Sequence, residues 1–255
     1  MELSLCFSGG ALRAAAQIGV LRFLEEQGVR VRAVSGSSAG SVMALLSAAG
    51  WESRQIEAFL RSIRRRDLFR LGGKPGLFSL DGVEERLREA LGTLDYAELS
   101  IPCFTCVTGL DRAQTRYLST GDPIANVVAS SALIPIFGPR KIGEEWYIDG
   151  GFSDNLPVKP LLDFDAPVLA INVNPLEGEP PGNFRSLLMR SLMIMLNSNI
   201  RPSRELAHAY LEVKGVAGMG LFDFDRIDEA IDAGYREIES TWDDLKQSLF
   251  TSRVL

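Results

Sequence analysis

Val29-Arg30-Val31-Arg32-Ala33-Val34-Ser35-Gly36-Ser37-Ser38-Ala39-Gly40 carries a short apolar strand into a glycine-flanked turn. A strand is expected over Val29 to Val34 and a helix over Ser38 to Ala49, closed by Gly50. Just upstream, Leu3 to Phe7 is another short apolar run that stops at Ser8-Gly9-Gly10. Ala11 to Gln27 follows with helix formers, an apolar face at Ile18, Leu21 and Leu24, and an end at Gly28. Strand, helix, strand, helix in so short a span predicts a βαβ unit. Its two strands should lie parallel and deliver their C-terminal turns to one sheet edge.

Farther along, residues 52–70 read as one amphipathic helix, with Ile56, Phe59, Leu60 and Ile63 at the i, i+3, i+4, i+7 spacing. Gly72 to Gly76 reads as a loop, and Asp81-Gly82 opens a helix through Leu91. Ile101 to Gly109 and Gln114 to Ser119 predict a hairpin turning at Leu110-Asp111-Arg112. A helix is expected near Pro123–Ser131, then a turn at Ile134-Pro135 and a short strand, Trp146 to Ile148, running into Asp149-Gly150-Gly151. Val168 to Val173, bounded by Pro167 and Pro175, predicts a central strand. A long helix from residue 184, a strand near Leu211–Val213 and a helix over about 226–249 complete the order. No linker or repeat interrupts it, so residues 1–255 are expected to form one α/β domain.

Composition narrows the function classes. The 255 residues are 46% hydrophobic and 24% charged, with a net charge of −6. That balance argues against nucleic acid as a partner, since phosphate binding needs clustered Lys and Arg. Met1 to Gly10 lacks the basic start and long apolar run of a signal peptide, and no apolar run is long enough to span a bilayer. Three cysteines fit a reducing compartment, so a cytoplasmic protein is expected. Cys103 and Cys106 lie three apart on a predicted strand, so their sulfurs diverge; buried apolar cysteine accounts for them better than a metal site.

Gly36-x-Ser38-x-Gly40 between a strand and a helix is the pattern of a nucleophilic serine on a sharp elbow, with helix-end N–H groups nearby. The simpler alternative is a Gly-Ser turn capping a helix. The Ser8-Gly9-Gly10 turn on the same edge could aim backbone N–H groups at an oxyanion. It matches neither the dinucleotide fingerprint nor a P-loop. Asp149 offers a carboxylate on another strand-end turn.

Together these segments resemble the patatin-like phospholipase family. The resemblance rests on Phe7-Ser8-Gly9-Gly10-Ala11-Leu12-Arg13 through Leu21, on Gly36-Ser37-Ser38-Ala39-Gly40, and on Tyr147-Ile148-Asp149-Gly150-Gly151 with Asn155-Leu156-Pro157-Val158. Ala129-Ser130-Ser131-Ala132 and the stretch Leu221 to Tyr235 are also similar to family members. The resemblance implies a three-layer α/β/α fold with a mostly parallel sheet, and hydrolysis of lipid or fatty-acyl esters by a Ser-Asp dyad without cofactor or metal. By position, Ser38 matches the nucleophile, Asp149 the base, Gly36 and Gly40 the elbow, and Gly9, Gly10, Ala11 and Arg13 the oxyanion loop. Ala11 and Ala14 stand where the family usually has glycine, and a methyl at Ala11 restricts φ.

Two alternatives stand beside the dyad. One is a triad with His208, the single histidine; the other is a non-catalytic lipid-binding or regulatory protein on the same fold. Arg61, Arg64, Arg65, Arg66 and Arg70 read either as a solvated face with neighbouring acids or as a peripheral contact with anionic lipid. Residues 187–196, apolar on nearly every side, read as the wall of an acyl pocket or as core.

Overall fold

The computed structural model describes residues 1–68, 70–72, 75–176 and 182–251. In chain order the strands are β1 (Glu2–Phe7), β2 (Arg30–Ser37), β3 (Arg70–Leu71), β4 (Phe78–Ser79), β5 (Cys103–Gly109), β6 (Gln114–Leu118), β7 (Arg140–Ile142), β8 (Glu145–Asp149), β9 (Val168–Asn172) and β10 (Ala209–Glu212). The helices are α1 (Ala15–Glu26), α2 (Ala39–Ala48), α3 (Ser53–Ser62), α4 (Arg65–Leu68), α5 (Asp81–Leu91), α6 (Pro123–Ser130), α7 (Phe184–Ser198), α8 (Ile200–Leu206) and α9 (Ile227–Phe250).

An eight-stranded sheet runs β10-β9-β1-β2-β5-β8-β7, with β6 on the far side of β5; β3 and β4 form a separate hairpin. From β10 to β5 all neighbours are parallel, whereas β6, β8 and β7 pair antiparallel. This is the expected mixed, mostly parallel sheet of an α/β fold. Strand alternation loads both faces. Leu3, Leu5, Phe7, Leu169 and Ile171 enter the larger core under α1, α2, α3, α5, α6 and α9. Cys6, Val168 and Ala170 face the other way, beneath residues 156–161 and α8, so the second covering layer is thin. On the thick side α1 and α9 touch backbone to backbone: a Cβ at Gly19 would lie 2.0 Å from the Ile231 carbonyl oxygen.

The structure corrects several expected boundaries. The helix read over 52–70 stops at Ser62, because Ile63 is extended (φ −73°, ψ 123°) and drops against the core. Asp67 then accepts from the Arg64 N–H at 2.9 Å and starts the separate turn of α4. β2 continues three residues past Val34, since Gly36 and Ser37 pair with Thr105 and Cys106 of β5. β7, a short charged strand, was not foreseen; it turns at Gly143 (φ 60°) and exists by pairing with β8. The segment after β1 is a 3-10 turn, Ala11–Ala14, before α1 proper. Gly73 and Lys74 of the expected loop lie outside the described residues.

Candidate active site

The register of β5 explains how two distant residues meet. β2 and β8 occupy the same side of β5, because β6 holds the opposite side along Thr105–Gly109. β2 ascends to Ser37 opposite Cys106, and β8 descends to Asp149 opposite Val107. Two antiparallel strands therefore meet head-on at neighbouring residues of β5, and their next side chains converge. The junction has no room for a side chain on Gly150, whose Cβ would lie 2.2 Å from the Cys106 carbonyl oxygen.

At this junction the Ser38 hydroxyl donates to Asp149 Oδ2 at 2.6 Å. Ser38 sits at φ 51°, ψ −130°, a strained conformation for a non-glycine residue, on the turn into α2. Its own N–H donates to Ser130 Oγ (2.8 Å), which in turn donates to the Cys106 carbonyl (2.6 Å), so α6 and β5 pin the turn. Gly40 lets α2 press against the end of β1: a Cβ there would lie 2.5 Å from the Phe7 carbonyl oxygen.

Asp149 is 2% exposed. Burial pushes its carboxyl up to about 7, while the Ser38 hydroxyl and the Gly151 N–H (2.8 Å to Oδ1) pull the other way. The loop behind it is tied down by Asn199, which accepts from the Asn155 N–H at 2.9 Å and donates to the Gly151 carbonyl at 2.7 Å. Asp154 anchors the same loop by accepting from Tyr117 (2.8 Å) and Ser203 (3.0 Å).

The glycine turn after β1 lies against the serine, since a Cβ on Gly9 would be 2.9 Å from Ser38 Cβ. The structure separates the four positions expected to bind an oxyanion. The Gly9 N–H is committed to the Asn155 carbonyl (3.2 Å), so Gly9 contributes space and not a donor. The Arg13 guanidinium turns to the Met219 carbonyl, Nε at 2.8 Å, and ties down the segment before Leu221. Gly10 and Ala11 keep N–H groups that take no partner among the described residues. Ala11 adopts φ 47°, the left-handed backbone that glycine would enter without strain.

Ser38 and Ala11 open on a cavity of about 110 Å³ whose lining is almost wholly apolar, including Met43, Leu60, Phe137 and Phe222. Among the described side chains of residues 187–196, none lines it. Met193 and Leu196 pack on Leu221 beside Ala11 and Phe222, so α7 backs the cavity at one remove, with Leu187, Leu188, Ile194 and Met195 exposed. His208 stands at the start of β10, on the opposite sheet edge, where Nδ1 accepts from the Val168 N–H at 3.1 Å. The length of β9, about 13 Å, and three strand spacings of about 4.8 Å each lie between it and Ser38. Cys6, Cys103 and Cys106 are buried free thiols. In the basic stretch Arg61 pairs with Glu57 and Asp228, Arg65 with Asp225 and Arg70 with Glu85. No helix among the described residues is long and apolar enough to cross a membrane.

Ser130, Asn155 and Asn199 support the site, and no sequence motif by itself gives them a role. Ser130 and Asn155 fall inside the segments that carry the family resemblance, which is the signal that marks them. Asn199 has no local signal.

Residues 5–162 match the family model described as patatin-like phospholipase. An uncharacterized NTE family protein of Mycobacterium tuberculosis is 26% identical over 184 residues, covering 70% of this chain and 51% of that protein. The chain thus spans about half the length of that relative. Lysophospholipase NTE1 of Mycosarcoma maydis is 27% identical over 191 residues, 71% of this chain and 10% of that protein. VipD from Legionella pneumophila superposes with a TM-score of 0.56 at 14% identity, over 95% of this chain and 67% of the other, a likeness of fold.

Proposed function

Because the chain belongs to the patatin-like phospholipase family, we propose that it is a serine acyl hydrolase of lipid esters, of phospholipase A or lysophospholipase type, with Ser38 as nucleophile and Asp149 as base. The observation that carries the reading is the 2.6 Å hydrogen bond to a buried carboxylate from Ser38, which lines an apolar cavity. A carboxylate of ordinary pKa, about 3.9, is a poor base for a serine hydroxyl. Raised to about 7 by burial, Asp149 can take that proton while still ionised near neutrality.

As Asp149 accepts the hydroxyl proton, Ser38 Oγ attacks the ester carbonyl carbon and the carbonyl oxygen becomes an oxyanion. The free N–H groups of Gly10 and Ala11 and the N-terminal end of α2 would receive that charge. Collapse expels the alcohol, which takes the proton from Asp149 and leaves an acyl group on Ser38. Water then attacks the acyl carbon, giving its proton to Asp149. The second collapse releases the carboxylic acid and returns the proton to Ser38. The apolar cavity takes the acyl chain. His208 has no part in these steps, since its ring is bonded at the far sheet edge.

The test is turnover of p-nitrophenyl butyrate by wild type and by Ser38→Ala. Wild-type activity should fall at least about 10⁴-fold in the variant, as loss of a nucleophile does. Equal rates in the two proteins would remove Ser38 from the chemistry, and no wild-type turnover of this ester or of lysophosphatidylcholine would leave the fold with a binding role only.

A further inference from the structure

The strand order reverses between β1 and β9. From β1 the chain proceeds to β2 and β5 on one side, and it returns to β9 and β10 on the other. In an open α/β sheet that reversal makes a crevice at the C-terminal strand ends. Two segments leave from it here: the turn Ser8–Ala11, and Val173-Asn174 at the end of β9. The first holds the uncommitted N–H groups of Gly10 and Ala11.

A trans peptide is planar, and its carbonyl and following N–H point in opposite directions. Whatever grips the Gly9 carbonyl therefore aims the Gly10 N–H. That grip is Asn174, whose Nδ2 donates to the Gly9 carbonyl oxygen at 2.5 Å. Asn174 is 1% exposed, and its Nδ2 also lies 3.4 Å from both Ser8 Oγ and Asn172 Oδ1, which leaves its side chain little freedom. Val173 and Asn174 also fill the space beside Gly10, where a Cβ would lie 2.6 Å from Val173 Cγ2 and 3.1 Å from Asn174 Oδ1. On the other face of the turn Ala11 and Ser38 line the cavity. The preceding peptide is held at both ends, with the Ser8 carbonyl accepting from Gln17 Nε2 (2.8 Å) and the Gly9 N–H donating to Asn155. A Gly-Gly link is the most freely rotating in a chain, so an oxyanion donor built on it needs an outside clamp to be preorganised.

We infer that Asn174 is a positioning residue for oxyanion formation: by holding the Gly9 carbonyl it turns the Gly10 N–H toward the ester oxygen bound at Ser38. The inference rests on the reading of Ser38 as nucleophile. Asn174 touches no substrate and acts only through the Gly9–Gly10 peptide.

The experiment uses the full chain with Asn174→Asp, which conserves volume and removes the donor, and Asn174→Ala as a second variant. Three quantities are measured: kcat and KM for p-nitrophenyl butyrate, inhibition by an alkyl trifluoromethyl ketone, and affinity for the corresponding trifluoromethyl carbinol. The ketone forms an oxyanion adduct on serine; the carbinol fills the same cavity without one. In whichever variant folds, kcat should fall about 10- to 100-fold, part of the effect of losing an oxyanion donor outright. KM and carbinol affinity should stay near wild type, and ketone affinity should weaken in step with kcat. Unchanged kcat overturns the proposal, and so does a parallel loss of kcat, ketone affinity and carbinol affinity, which would mark a general collapse of the site. Activity in wild type and its absence in Ser38→Ala keep the underlying reading intact whichever way Asn174 falls.

Discussion

The two ends of the parallel strands differ in what they leave unfinished. At the N-terminal edge the backbone donors are spent: Arg30 on the Met1 carbonyl, Ser4 on Pro167, Val34 on Pro102, and His208 on Val168. Even the imidazole there serves as an acceptor, for the Val168 N–H. At the C-terminal edge Ala11 and Ser38 hold positive φ angles, Gly10 and Ala11 keep uncommitted N–H groups, and a carboxylate is buried with a raised pKa. Ser37 Oγ and Asn155 Nδ2 are buried there with no partner among the described residues. One edge is built for stability, whereas the other retains strain and donors that take no partner among the described residues.

Asp149 offers the hardest test of that contrast. Asp149→Asn should lower kcat about 10³-fold, the range expected for loss of a general base. In wild type, kcat/KM for a neutral ester should rise about tenfold per pH unit up to a midpoint near 7, where the carboxyl ionises. A midpoint near 4 would mean that burial does not tune this group. Stability should move the opposite way. The native carboxyl binds its proton more tightly than the unfolded one, at about 3.9, so the contribution is full below pH 4 and lost as pH rises through 7. Thermal melts should therefore place Asp149→Asn above wild type at pH 8, with the gap closing at pH 4. Equal melting at both values would contradict a destabilised edge.

Ala11→Gly probes the strain alone. A non-glycine residue in the left-handed region costs about 1–2 kcal/mol, partly offset by the entropy that glycine loses on folding. A rise in Tm of about 2 °C is expected, with kcat the same or a few-fold higher. A lower Tm would show that Ala11 is not strained in solution. At the satisfied edge, His208→Ala should change kcat by less than about twofold, while the loss of an acceptor for Val168 costs about 1 kcal/mol in denaturant unfolding. A thousandfold drop in activity would instead return the histidine to the chemistry and erase the division between the edges.

Much of this molecule was open to reading from local pattern. Apolar runs ending in glycine marked β1, β2 and β9, and glycines around Ser38 marked the elbow, because strand period and turn chemistry are carried by neighbouring residues. The same locality marked Asp149 and the Ser8-Gly9-Gly10 turn as candidates on strand ends. It failed where a neighbour came from elsewhere in the chain. β7 pairs only because β8 lies beside it, and α3 ends at Ile63 because the core takes that side chain. Arg13 faces the Met219 carbonyl, 206 residues away, and the Gly9 N–H is taken by Asn155.

By itself the sequence determined the α/β class, the order of the main strands and helices, and the residue types gathered at strand ends. Tertiary structure alone decided that β8 runs antiparallel and meets β2 head-on along β5, which brings Ser38 and Asp149 to 2.6 Å. It also decided which peptides of the glycine turn are gripped and which are left free. Strand register and peptide orientation are set by partners distant in the chain, and periodicity within a segment carries no trace of them.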